Sequence, residues 1–191
     1  MRIVGGEFRG RRILAPEGDD VRPTSDRVRQ ALFDTLSHSH RDVLSGTRAL
    51  DLFAGTGALG LEALSRGCRF CLFVDEGQGG RALLRRNVEA FGLTGRTKIW
   101  RRDATQLGRC TLPPFALAFA DPPYGKGLGE RAAAALIEGG WLEAGALLVL
   151  EERADALPTA LDGFDALDRR DFGGTAVGLF RRGETQARAF L

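Results

Sequence analysis

Residues 48–75 read RALDLFAGTGALGLEALSRGCRFCLFVD, and this stretch decides the fold. Residues 48–53 (RALDLF) are short and mostly apolar and run into glycine-rich chain, which predicts a strand. Residues 57–66 (GALGLEALSR) predict a helix stopped by Gly67. Residues 69–75 (RFCLFVD) predict a second strand. A strand, a tight glycine turn, a helix and another strand make one unit of an α/β fold, whose strands run parallel.

The same alternation continues downstream. Residues 80–91 predict a helix with Leu84, Val88 and Phe91 inward, ended by Gly92. Strands follow at 97–101 and 115–120 (FALAFA), then a helix near 129–138 and an apolar strand at 145–151 (GALLVLE). Two more strands are expected near 164–171 and 175–181, and 184–191 reads as a tail. Upstream, Ala15 to Pro23 is rich in Pro, Gly and Asp and predicts a loop. A helix opens after it, with Thr24 or Ser25 as N-cap and Val28, Ala31, Leu32 and Leu36 as its apolar stripe. The expected architecture is a doubly wound, mostly parallel Rossmann-like sheet with helices on both faces.

Length and composition bound the alternatives. The chain has 191 residues, enough for one domain, with 43% hydrophobic and 27% charged residues. That excludes a disordered chain. No apolar run approaches the roughly 18 residues that span a bilayer. The opening MRIVGGEFRGRRIL has no apolar secretion segment, and three cysteines make no disulfide framework, so a cytoplasmic protein is expected. Glycine is abundant, at 26 residues, as tight turns beside a nucleotide-type ligand require. Residues 1–41 hold eight arginines against six acids and so carry the whole net charge of +2. Such a basic extension can follow phosphates, although a solvated surface has the same composition.

Four aspartates fall where four successive predicted strands end: Asp51 near the end of the first, then Asp75, Asp103 and Asp121. In open α/β sheets ligands bind beyond the carboxyl ends of the strands. Acids gathered there suit a ligand with an amino group, ribose hydroxyls and an adenine amine. Gly55 and Gly57 let a ligand lie against bare backbone at the first turn, and Gly60 lets the helix approach the sheet. Dinucleotide dehydrogenases share this glycine pattern and an acid 20 residues on, here Asp75. Two features favour another chemistry. Asp51 lies inside the first strand, where it can meet a cationic amino group. The other is the tetrapeptide Asp121-Pro122-Pro123-Tyr124, directly after FALAFA.

Consecutive prolines hold that turn extended and remove two N–H donors. The Pro122 carbonyl is left beside the Asp121 carboxylate. Two such acceptors take both hydrogens of a planar exocyclic amine, localise its lone pair and aim it at an electrophile. Tyr124, the chain's single tyrosine, supplies a ring on which a base can stack.

DLFAGTG followed by DPPY resembles a class I S-adenosylmethionine-dependent methyltransferase acting on an amino nitrogen. The opening MRIVGGEFRGRRI, RPTSDRVRQALFD and DLFAGTGALGLEALSRG narrow the resemblance to the RsmD family of bacterial 16S rRNA guanine-N2 methyltransferases. It covers most of the chain, including GWLEAGALLVLE and GGTAVGLFRR. It implies an antiparallel C-terminal strand, a methyltransferase domain over 42–183 and an RNA- and cofactor-facing extension over 1–41. It further implies that Asp51, Phe53, Ala54, Gly55 and Gly57 hold the methionine part of the cofactor and that Asp75 binds the ribose. Asp103 and Ala104 would read the adenine. Asp121, Pro122, Pro123 and Tyr124 would hold the target base. Arg22, Thr24 and Arg27 would shape the entrance, with Arg9, Arg11 and Arg12 on RNA phosphates. Gly77 and Gln30 stand where the family usually has acids.

The implied partner is 16S rRNA in the small ribosomal subunit, met by a monomer without metal. Two other readings fit the motifs: an amino-methyltransferase for DNA adenine or cytosine or for protein glutamine, and a nucleotide-binding ribosome-assembly factor without catalysis. Cys68 and Cys71 have metal-type spacing but no second pair, and read as structural. Cys110 is isolated, and His38 and His40 read as surface residues. The pairs Arg85-Arg86 and Arg101-Arg102 suit solvated faces.

Overall fold

The computed structural model describes residues 1–16 and 25–183. Among these, the expected strands are β1 (Arg48–Leu52), β2 (Phe70–Val74), β3 (Thr97–Trp100), β4 (Phe115–Ala120), β5 (Leu142–Arg153), β6 (Phe164–Phe172) and β7 (Thr175–Arg182). They form one seven-stranded sheet in the order β3-β2-β1-β4-β5-β7-β6. β1 to β5 pair in parallel, and β7 runs antiparallel to both β5 and β6. The helices are α1 (Asp26–Ser39), α2 (Ala58–Ser65), α3 (Gln78–Ala90) and α4 (Leu128–Glu138).

Alternation along the central strands divides the core in two. Ala49, Phe73, Leu117, Phe119 and Val149 face α1, α2 and α3. Leu50, Leu52, Val74, Ala118 and Leu148 face α4. This is the two-faced cover that a parallel sheet requires. One strand is longer than its apolar run. β5 begins at Leu142, ahead of the expected 145, because it pairs with Phe115 before a register shift that contains Gly145 at φ 74°.

Residues 1–14 are fastened to α2 and α3. Ile3, Phe8 and Ile13 enter the core. The fully buried Glu62 carboxylate accepts the Val4 and Gly5 amides at 2.9 and 2.8 Å and Arg66 Nε at 3.0 Å. Ser65 Oγ accepts the Phe8 amide at 2.9 Å and donates to the Gly5 carbonyl at 2.6 Å. Asn87 accepts the Leu14 amide at 2.8 Å and donates to the carbonyls of Leu14 and Thr56, at 3.1 and 2.9 Å. Buried polar groups paired in this way cost little, whereas each would be expensive bare.

Ser25 caps α1, its hydroxyl accepting the Val28 amide at 3.2 Å, as one of the two expected caps. Thr24 and Arg22 lie outside the described residues, as does the tail from 184. Cys68 and Cys71 are buried in the core, and burial pushes the Cys68 thiol up to about 11. Among the described residues no helix is long and apolar enough to cross a membrane.

Candidate active site

The carboxyl ends of β1, β2 and β4 open onto a cavity of about 630 Å³. β1 and β4 are neighbours from which the strand order runs outward both ways, the switch point where α/β sheets bind ligands. The volume lies within the range of small-ligand sites.

The turn leaving β1 forms one wall. Phe53, Gly55 and Gly57 all have left-handed backbones, at φ 57°, 52° and 82°. Phe53 is the one non-glycine residue with positive φ among those described, and such a conformation is tolerated where surrounding structure enforces it. The enforcing contacts are the Ala54 amide on the Val74 carbonyl at 3.1 Å and the Gly57 amide on the Ala54 carbonyl at 2.7 Å. Gly80, in the first turn of α3, closes against Gly55 so tightly that a Cβ there would lie 3.2 Å from the Gly55 Cα. Phe53, Ala54, Gly55 and Thr56 line the cavity.

Two acids brace this turn. Asp51 is buried in β1, and its Oδ2 accepts the Gly60 amide at 2.9 Å, satisfying a first-turn donor of α2. Burial pushes its carboxyl well above the usual range; the Gly60 amide opposes this, and Asp121 and Asp75 reinforce it. Asp75 accepts the Gly55 amide on Oδ2 at 2.7 Å and the Gly77 amide on Oδ1 at 2.6 Å. Both acids line the cavity, and Glu76 joins them on its rim.

Asp121, Pro122, Pro123 and Tyr124 also line the cavity. The Tyr124 hydroxyl donates to Glu151 Oε1 at 2.7 Å. Ala104 and Arg102 close the cavity beyond β3, and the Arg102 guanidinium lies 5.0 Å from the centre of the Trp100 ring and donates to the Leu107 carbonyl at 2.6 Å.

Asp103 and Gly57 do not line the cavity. The Asp103 carboxylate turns back on its own loop, accepting the Thr105 amide and hydroxyl, each at 2.7 Å, and these bonds hold its carboxyl below the usual range. These bonds bracket Ala104, which does line the cavity. Arg9, Arg11, Arg12 and Arg27 are exposed elsewhere on the surface. Arg11 is engaged there, over the Phe91 ring at 4.3 Å and donating to the Ala90 carbonyl at the end of α3. Among the described residues no His, Cys, Asp and Glu cluster could hold a metal ion.

The profile of the family described as conserved hypothetical protein 95 matches residues 1–181. The chain belongs to that family. The ribosomal RNA small subunit methyltransferase D of Escherichia coli K12 is 33% identical over 191 residues, covering 98% of this chain and 94% of that one. Its namesake from Haemophilus influenzae is 31% identical over 164 residues, covering 81% and 80%. The solved structure of the Escherichia coli protein yhhF superimposes with a TM-score of 0.81 at 34% identity, over 96% of this chain and 98% of that one. The RsmD family resemblance and the Rossmann-like methyltransferase fold are therefore both met.

Within this RsmD-family frame, several cavity residues carry no motif of their own: Pro16, Glu76, Arg102 and Leu128. Glu151 and Glu152 also escaped sequence reasoning. Their signal is an acid pair closing the apolar run LLVL, level with the other strand-end acids.

Proposed function

We propose that this methyltransferase moves the methyl group of S-adenosylmethionine to the exocyclic N2 amine of a guanine in 16S rRNA of the small ribosomal subunit, working in the cytoplasm. One observation carries the reading. The glycine turn with its two acids and the Asp-Pro-Pro-Tyr segment line a single cavity. The names of the relatives support ribosomal RNA as the substrate.

The cavity fits the cofactor in volume and chemistry. Asp51 offers its carboxyl oxygens to the ammonium group, Asp75 a carboxylate to the ribose, the Phe53–Gly55 backbone receives the methionine part, and Ala104 borders the adenine. When bound, S-adenosylmethionine supplies a methyl group already activated on a sulfonium. The residues of this chain then work mainly by positioning. Asp121 and the Pro122 carbonyl accept the two N–H groups of the amine and hold its lone pair toward the glycine turn. The Asp121 carboxylate counters the positive charge growing on nitrogen and receives the released proton. Turning a guanine out of its stack costs about a few kcal/mol, which stacking on Tyr124 offsets. Residues 1–41 act as the RNA-facing extension of the 42–183 catalytic domain, with Arg9 and Arg12 on phosphates.

The test is transfer of labelled methyl groups to small ribosomal subunits from cells lacking this protein, followed by nucleoside analysis. Label in N2-methylguanosine is expected. Label in methylated adenosine or cytidine, or in protein, assigns a different amine. Cofactor binding without transfer to any substrate returns the chain to an assembly factor.

A further inference from the structure

The Asp121–Tyr124 wall is bolted to the strand beside it. The Tyr124 hydroxyl donates to Glu151 Oε1 at 2.7 Å. The next amide, of Gly125, donates to Glu152 at 3.0 Å to Oε1 and 3.2 Å to Oε2, and Glu152 Oε1 also accepts the Arg153 amide at 2.7 Å. β4 and β5 are parallel neighbours with Ala120 paired to Leu150, which sets Glu151 level with Asp121. Glu151 is only 6% exposed and Glu152 3%. Glutamates are rarely so buried without a partner, because removing the charge from water is costly.

Glu151 does not line the cavity, whereas Tyr124 does. A tyrosine ring turns about two side-chain torsions. Held at the backbone between Pro123 and Gly125 and again at its hydroxyl, it has lost that freedom before any base arrives. We propose that Glu151 is a positioning residue for methyl transfer, fixing the Tyr124 ring in the plane that receives the target base. It acts through the phenol hydroxyl. A ring oriented in advance spares the complex the cost of ordering it, and a tilted base would present its amine off line. The inference rests on Tyr124 being the platform for the base.

A double-mutant cycle on small ribosomal subunits tests it, with kcat, RNA KM and calorimetric S-adenosylmethionine affinity read for each variant. Glu151→Leu and Tyr124→Phe are each expected to lower kcat about tenfold while cofactor affinity is unchanged. The double variant should be no worse than either single one, because both remove the same bond. Glu151→Gln keeps an oxygen acceptor and should restore most of the rate. Fluorotyrosine incorporated at the single tyrosine gives one ¹⁹F resonance, which should move in Glu151→Leu and return in Glu151→Gln. Additive losses, or equal losses of cofactor affinity, overturn the proposal. Tyr124→Phe leaves β5 untouched, so full turnover in that variant overturns it even where Glu151→Leu does not fold. Full turnover in Tyr124→Ala removes the platform reading and the inference with it. An inactive Tyr124→Ala beside an unimpaired Glu151→Leu removes the inference alone.

Discussion

The Asp75 carboxylate accepts the Gly55 amide at 2.7 Å, so the acid closing β2 holds the turn that leaves β1. Replacing it strips the Gly55 and Gly77 amides of their acceptor as well as removing a group for the ribose. Asp75→Ala should weaken S-adenosylmethionine binding by about tenfold or more, the effect of losing a charge-assisted hydrogen bond. Titration calorimetry checks this, and an unchanged affinity would remove Asp75 from the site.

Asp51 carries a pH signature. Burial raises its carboxyl well above the ordinary 3.8, so the folded chain keeps a proton that the unfolded chain releases above that pH. This contribution to stability is complete below pH 3.8 and is lost as the pH rises through the raised folded value. Asp51→Asn keeps an acceptor for the Gly60 amide without the charge. Its melting temperature should therefore gain on the wild type as the pH climbs above the carboxylate range, while its cofactor affinity falls. Melting curves across pH for both proteins decide this; a gap independent of pH contradicts it.

Asp121→Ala should leave cofactor affinity near normal and reduce methyl transfer by about a hundredfold or more, as loss of a charge-stabilising group does. Single-turnover assays separate the two quantities. Near-normal turnover would exclude Asp121 as the acceptor for the amine.

Arg9 and Arg12 are exposed, and no shared packing duty competes there, in contrast to Arg11 with its ring contacts. Reversing both to glutamate should weaken RNA binding and flatten the slope of log affinity against log salt by about two, one for each lost phosphate contact. Filter binding at several salt concentrations measures that slope, and an unaltered slope places the RNA on another face.

Local chemistry made much of this legible beforehand. Short apolar runs gave the strands, Gly67 and Gly92 the ends of two helices, Thr24-Ser25 the start of α1, and Asp51, Asp75 and Asp121 with its Pro-Pro-Tyr marked the cavity. What stayed hidden depends on partners distant in sequence. Nothing near residue 151 announces that a glutamate ending an apolar strand holds a phenol 27 residues earlier. The early start of β5 was masked by Gly145, which looks like a boundary but sits inside an irregular pairing with β4. Residues 1–14 advertise basic charge and conceal Ile3, Phe8 and Ile13, which only the helices they meet can explain.

The hydrogen-bond partners of those opening residues lie on Glu62, Ser65 and Asn87, between 57 and 73 positions later. During synthesis the segment of residues 1–14 therefore emerges before its partners and waits, undocked, until α2 and α3 have left the ribosome. Its arginine-rich stretch is thus bare beside ribosomal RNA for the whole of that interval, and the growing chain meets polyanion before it has a fold.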